Sequence, residues 1–95
     1  MFIKPNIIEI TVVNGTDSVT YRNRRIDINK VEAYDKSQVS PKRLNDNKDA
    51  DIKVPTIKFT CGKGHIIEWW FKNEQDRDDI LNKIDELLKV LTLEE

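Results

Sequence analysis

A single cysteine, Cys61, and a single histidine, His65, set the first limits on this 95-residue chain. One cysteine excludes an internal disulfide and any zinc or iron–sulfur site that draws on several thiolates. No stretch approaches the ~20 apolar residues that span a bilayer. The opening Met1-Phe2-Ile3-Lys4-Pro5-Asn6 lacks the apolar core of a secretory signal. The expectation is therefore a cytoplasmic protein with no membrane span. A strong excess of positive charge is also missing: the net charge is −1, far from that of a dedicated duplex-DNA binder.

What is present is a set of short periodic apolar runs, which separates the chain from disordered sequences despite its 35% charged residues. The length suits one domain, expected over residues 1–95. A domain of this size buries about 60–65% of its unfolded surface. Its core is then one layer of side chains between two layers of secondary structure, with little room for a deep cleft and a cofactor. Charge is segregated: residues 1–72 carry 13 Lys/Arg against 9 Asp/Glu, and residues 73–95 carry 3 against 8. A basic sheet portion and an acidic helix can simply complement each other.

Residues 7–13, Ile-Ile-Glu-Ile-Thr-Val-Val, are rich in β-branched side chains, with Ile8, Ile10 and Val12 on one face. Asn14-Gly15 tolerates the positive φ of a hairpin turn, and Val19-Thr20-Tyr21-Arg22 is the returning strand with Val19 and Tyr21 inward. The basic turn Arg22-Asn23-Arg24-Arg25 leads into a strand, a bend and a further strand up to Tyr34. Residues 35–51 are polar and read as a mobile loop. Strand character resumes at Ile52, and Pro55, at an apparent change of phase, predicts a bulge or an edge position. After a Cys61-Gly62-Lys63-Gly64 turn, residues 65–72 return, with His65, Ile67, Trp69 and Phe71 on one face and Ile66, Glu68, Trp70 and Lys72 on the other. A helix is expected over residues 74–92, capped by Asn73, with acidic residues near its positive end. Its apolar stripe runs through Ile80, Leu81, Ile84, Leu87, Leu88 and Leu91.

The predicted class is α+β: an antiparallel sheet of about five or six strands, packed on one C-terminal helix. In element order this resembles pleckstrin-homology-like and related small roll folds. The resemblance spans most of the chain but rests on no motif, so it transfers no functional residue.

Candidate chemistry is sparse. Cys61 and His65 flank a tight turn, which accounts for their proximity; a nucleophile and base would need an orienting third group. Gly62-Lys63-Gly64 lacks the spacing of a phosphate loop. Residues 46–51 have the alternating acidic rhythm of a calcium loop without its central glycine or terminal glutamate. No catalytic residue, metal or cofactor is expected.

Two features point to binding. If Trp69 packs under the helix, Trp70 projects from the opposite face beside Ile66, Glu68 and Lys72, where a half-exposed indole would anchor a protein partner. A curved sheet or the long loop could equally cover it. The second feature is Arg22, Arg24 and Arg25 with Lys30, suited to phosphates or an acidic surface. Three functions follow in order: a protein-binding adaptor or inhibitor; a binder of single-stranded nucleic acid or an anionic headgroup; and a homodimer pairing strand edges or Trp70 faces. Small size and abundant Ile, Lys, Asn and Asp suit a bacterial or phage accessory protein.

Overall fold

Alternating β-branched residues near the N-terminus form the expected hairpin. Strand β2 (Glu9–Asn14) pairs antiparallel with β3 (Asp17–Arg22), in register from Glu9 opposite Arg22 to Asn14 opposite Asp17. Ile10, Val12, Val19 and Tyr21 share its inner face. In this computed structural model the described residues are 1–14, 17–42 and 52–89. The hairpin turn itself, most of the polar stretch and Leu91 lie outside them.

Three antiparallel strands make the central sheet, in the order β5 (Val31–Val39), β6 (Val54–Cys61), β7 (Ile66–Trp70). A two-residue pair, β1 (Phe2–Ile3) with β4 (Ile26–Asp27), forms a third small sheet, so seven strands are described rather than five or six. A 3-10 turn at Ile28–Lys30 provides the bend between β4 and β5. β5 continues through Val39, so the first five residues of the polar stretch are strand and not loop. Their polarity reflects an outer strand whose alternate side chains meet water.

Pro55 is a correction. It sits in β6, the middle strand, and the register runs unbroken through Gln38 opposite Pro55 and Val39 opposite Val54. The missing N–H is harmless because β7 stops at Trp70, and Phe71 still donates its N–H to the Pro55 carbonyl at 2.9 Å. The register shift lies instead in β5, between Val31 and Ala33. The apparent phase change has a simple cause: both faces of β6 are buried over Val54–Ile57, so its apolar residues need not alternate there.

Helix α1 (Glu74–Leu87) covers one face of the sheet. The Asn73 side chain accepts the Asp76 N–H at 2.8 Å, satisfying one otherwise open donor of the first turn. Ile80, Leu81 and Ile84 pack on Ile57, Phe59, Trp69 and Ile26, and Phe59 meets Trp69 edge to face at 4.9 Å. Two polar ties reinforce this layer. The Tyr34 hydroxyl donates to Asp85 Oδ1 at 2.7 Å, and the buried Arg77 donates through Nη1 to the Ser37 carbonyl at 3.1 Å. The helix is shorter than expected, and Leu87 and Leu88 remain exposed beyond the edge of this core.

Opposite the helix, the β2–β3 hairpin lies across the other face and forms a smaller core of Ile10, Val54 and Trp70. The molecule is thus a three-layer arrangement: ribbon, sheet, helix.

Candidate interaction surface

Registers across the central sheet line up its hairpin-side residues in rows: Ala33–Thr60–Ile66, Asp35–Lys58–Glu68, Ser37–Thr56–Trp70 and Val39–Val54. The hairpin covers the last two rows and leaves the first two open. The surface expected around Trp70 therefore divides. Ile66 is 54% exposed and Glu68 partly so, whereas Trp70 is only 7% exposed. The Tyr21 ring stacks on the Trp70 indole, with centroids 4.4 Å apart and planes 4° from parallel. Trp70 is on the face the alternation required, but it is not a half-exposed anchor. Nor are two Trp70 faces available to pair in a dimer. Among the described residues the cover is the preceding hairpin, whose docking no local pattern encodes; most of the long loop lies outside them.

The basic turn is built by its one uncharged member. Asn23 is 2% exposed, and its side-chain amide acts as a peptide group against the outer edge of β7. Its Oδ1 accepts the Trp70 N–H at 2.8 Å and its Nδ2 donates to the Trp70 carbonyl at 3.0 Å. Nδ2 also donates to the Ile7 carbonyl at 3.0 Å. One residue on, the Arg24 carbonyl accepts the Trp69 indole N–H at 2.7 Å. The turn backbone is tied to both tryptophans while Arg22, Arg24 and Arg25 stay exposed. No salt bridge engages any of the three among the described residues. Sequence reasoning passed over Asn23; an asparagine inside a run of arginines was the available signal, since a buried turn needs a compact donor–acceptor.

Tyr21 links this turn to the open sheet rows. Burial, and next the Glu68 carboxylate, push its phenol above the usual range, while the Arg24 guanidinium acts in the opposite sense. Lys30 belongs elsewhere: with Lys63 and His65 it borders an open depression of about 480 Å³. Lys72 lies on the rim of a cleft of about 230 Å³ between the N-terminal segment and α1, floored by Trp70, Phe71 and Ile80. That cleft was not foreseen, because its walls come from the two ends of the chain.

Cys61 and His65 close the β6–β7 turn, the Cys61 N–H donating to the His65 carbonyl at 2.7 Å. The turn needs positive φ at Lys63 (63°) and Gly64 (74°), a demand that glycine meets without strain. The calcium-like segment 46–51 lies outside the described residues. Among the described residues, no group of three or more His, Cys, Asp or Glu side chains is arranged to hold a metal ion. No described helix is long and apolar enough to cross a membrane. No protein-family model, curated protein or solved structure matches this chain.

Proposed function

We propose that the chain is a non-catalytic protein-binding module, an adaptor or inhibitor, whose contact surface is the arginine turn with the adjoining open rows of the central sheet. The observation that carries this reading is an anchored backbone bearing free charges: buried Asn23 and the Trp69 indole hold the turn while Arg22, Arg24 and Arg25 remain exposed. A turn ordered before binding loses less conformational entropy when it docks. Guanidiniums match carboxylates in geometry and charge, and favour an acidic protein surface. Ile66, on the same strand as Glu68, supplies apolar contact area.

A single-stranded nucleic acid is less well served. Bases need an aromatic platform beside the cations, and both tryptophans are buried. A cytoplasmic accessory role in a bacterium or phage, inhibiting a larger enzyme, fits a module of this size. The test is affinity capture from lysate, with and without nuclease treatment, using wild type, Arg24→Glu/Arg25→Glu and Trp70→Phe. A stoichiometric protein partner should be retained by wild type and Trp70→Phe and lost with the charge reversal. Capture that nuclease alone abolishes, or that survives the reversal, overturns the proposal.

A further inference from the structure

The two β-sheets that bury the core differ in how their edges are finished. On the central sheet, both outer strands carry blocking devices. Asn23 occupies the outward peptide groups of Trp70 on β7. On β5, Asp35 Oδ1 accepts the outward Lys36 N–H at 2.8 Å, and a register shift interrupts the strand between Val31 and Ala33. Such caps and bulges keep an edge from recruiting another strand.

The β2–β3 ribbon has none of these. The Asn23 N–H donates to the Ile8 carbonyl, which sets the hydrogen-bonding phase of the ribbon. By alternation, Ile10/Tyr21 and Val12/Val19 bond each other, and the peptide groups of Ser18, Thr20 and Arg22 point outward from β3. These three residues are exposed, and no partner for their outward peptide groups is present among the described residues. The outer edge of β2 is also open but begins at Glu9. The β3 edge instead ends at Arg22 and is followed by Arg24 and Arg25.

We infer that the partner contributes an extended acidic segment that adds to the β3 edge as a third strand of the ribbon. This rests on the protein-binding reading above and specifies its mode. The main-chain groups of Ser18, Thr20 and Arg22 supply hydrogen bonds, and the arginines select acidic side chains. Pleating fixes the pattern of the segment. Residues on the face of Ser18, Thr20 and Arg22 are acidic or polar, and those on the face of Val19 and Tyr21 are apolar.

The probe is a seven-residue peptide alternating valine and glutamate, with valine–lysine and proline-interrupted counterparts as controls. Binding is followed by amide NMR shifts and hydrogen exchange on the full chain. The glutamate peptide should slow exchange at Ser18, Thr20 and Arg22, and Arg24→Glu/Arg25→Glu should weaken it about tenfold or more. Thr20→Pro should abolish protection while leaving the β2–β3 register intact. Of the main-chain groups it removes only an outward N–H, together with the exposed Thr11–Thr20 hydroxyl contact. Thr20→Val, which loses that contact and keeps the N–H, should retain protection. The charge reversal, on exposed side chains, keeps the test valid should that proline variant fail to fold. Equal binding of the lysine peptide, or binding without protection of the three amides, overturns the inference. So does a ten-nucleotide oligothymidylate that displaces the peptide and binds without that protection. Capture of a protein partner that depends on the arginines but not on Thr20 would overturn strand addition alone and leave the proposed function standing.

Discussion

Trp69 and Trp70 are neighbours in the chain and are buried on opposite faces of one sheet by different means. Trp69 is 1% exposed, enclosed by the helix, by Ile26 and by Phe59, with its indole N–H satisfied by the Arg24 carbonyl. Trp70 lies under a two-stranded ribbon, stacked on Tyr21, and is held through its backbone by Asn23. The helix face has a broad apolar cluster with two side-chain ties; the ribbon face has three buried apolar residues and a few half-buried ones. The first face therefore carries most of the fold's stability. The second positions a surface, and the same Asn23 that supports Trp70 orders the arginines.

Removing each device in turn tests that contrast. Trp69→Ala deletes the centre of the larger core and orphans the Arg24 carbonyl. It should cost about 3–5 kcal/mol by chemical denaturation, and a loss no larger than that of Trp70→Ala would reverse the ranking of the two faces. Asn23→Ala leaves the Trp70 N–H and carbonyl without partners and should cost about 2–3 kcal/mol. It should also speed amide exchange across residues 22–25 while helix α1 keeps its protection. Uniform loss of protection would show that ribbon and helix layers open as one unit.

A smaller effect is expected at the helix tie. Burial, with the Asp85 carboxylate that accepts its hydrogen bond, pushes the Tyr34 phenol up to about 12 from 10.0. A raised folded value contributes stability in full below pH ~10, and that contribution is lost as pH rises through about 12. Tyr34→Phe should therefore cost about 1 kcal/mol near neutrality and flatten the alkaline decline in a denaturation series. A wild-type-like decline in the variant would assign it to other groups. Smallest, and opposite in sign, is Thr56→Val. The Thr56 hydroxyl is buried beneath the ribbon with no hydrogen-bond partner among the described residues, so a nearly isosteric valine should stabilise by about 1 kcal/mol. Destabilisation would mean that the hydroxyl has a role in the packing of Trp70 and Tyr21.

Much of this architecture is legible in one dimension. Asn73 followed by an acidic turn and an apolar stripe defines the helix start, and alternation puts Trp69 and Trp70 on opposite faces whatever lies beyond. Where reading along the chain fails, a distant segment supplies the missing term. Pro55 resembles an edge residue until β7 is seen to end beside it. The polar residues 35–39 resemble a loop until β6 pairs with them. Arg77 has the look of a solvated helix charge, yet it is 5% exposed and donates to the Ser37 carbonyl on β5.

The sequence by itself determined the α+β class, the main hairpins, the helix start and which neighbouring residues share a face, because periodicity and capping depend on neighbours a few positions apart. Only the tertiary structure decided that the N-terminal ribbon covers Trp70, that Asn23 pins the arginine turn to β7, and that the edge of β3 is left open among the described residues. Those outcomes depend on contacts between distant segments, of which the Asn23–Trp70 hydrogen bonds join residues 47 apart. The pattern of any one segment is compatible with several such partners, and the choice among them is made by the packing and hydrogen-bond satisfaction of the whole.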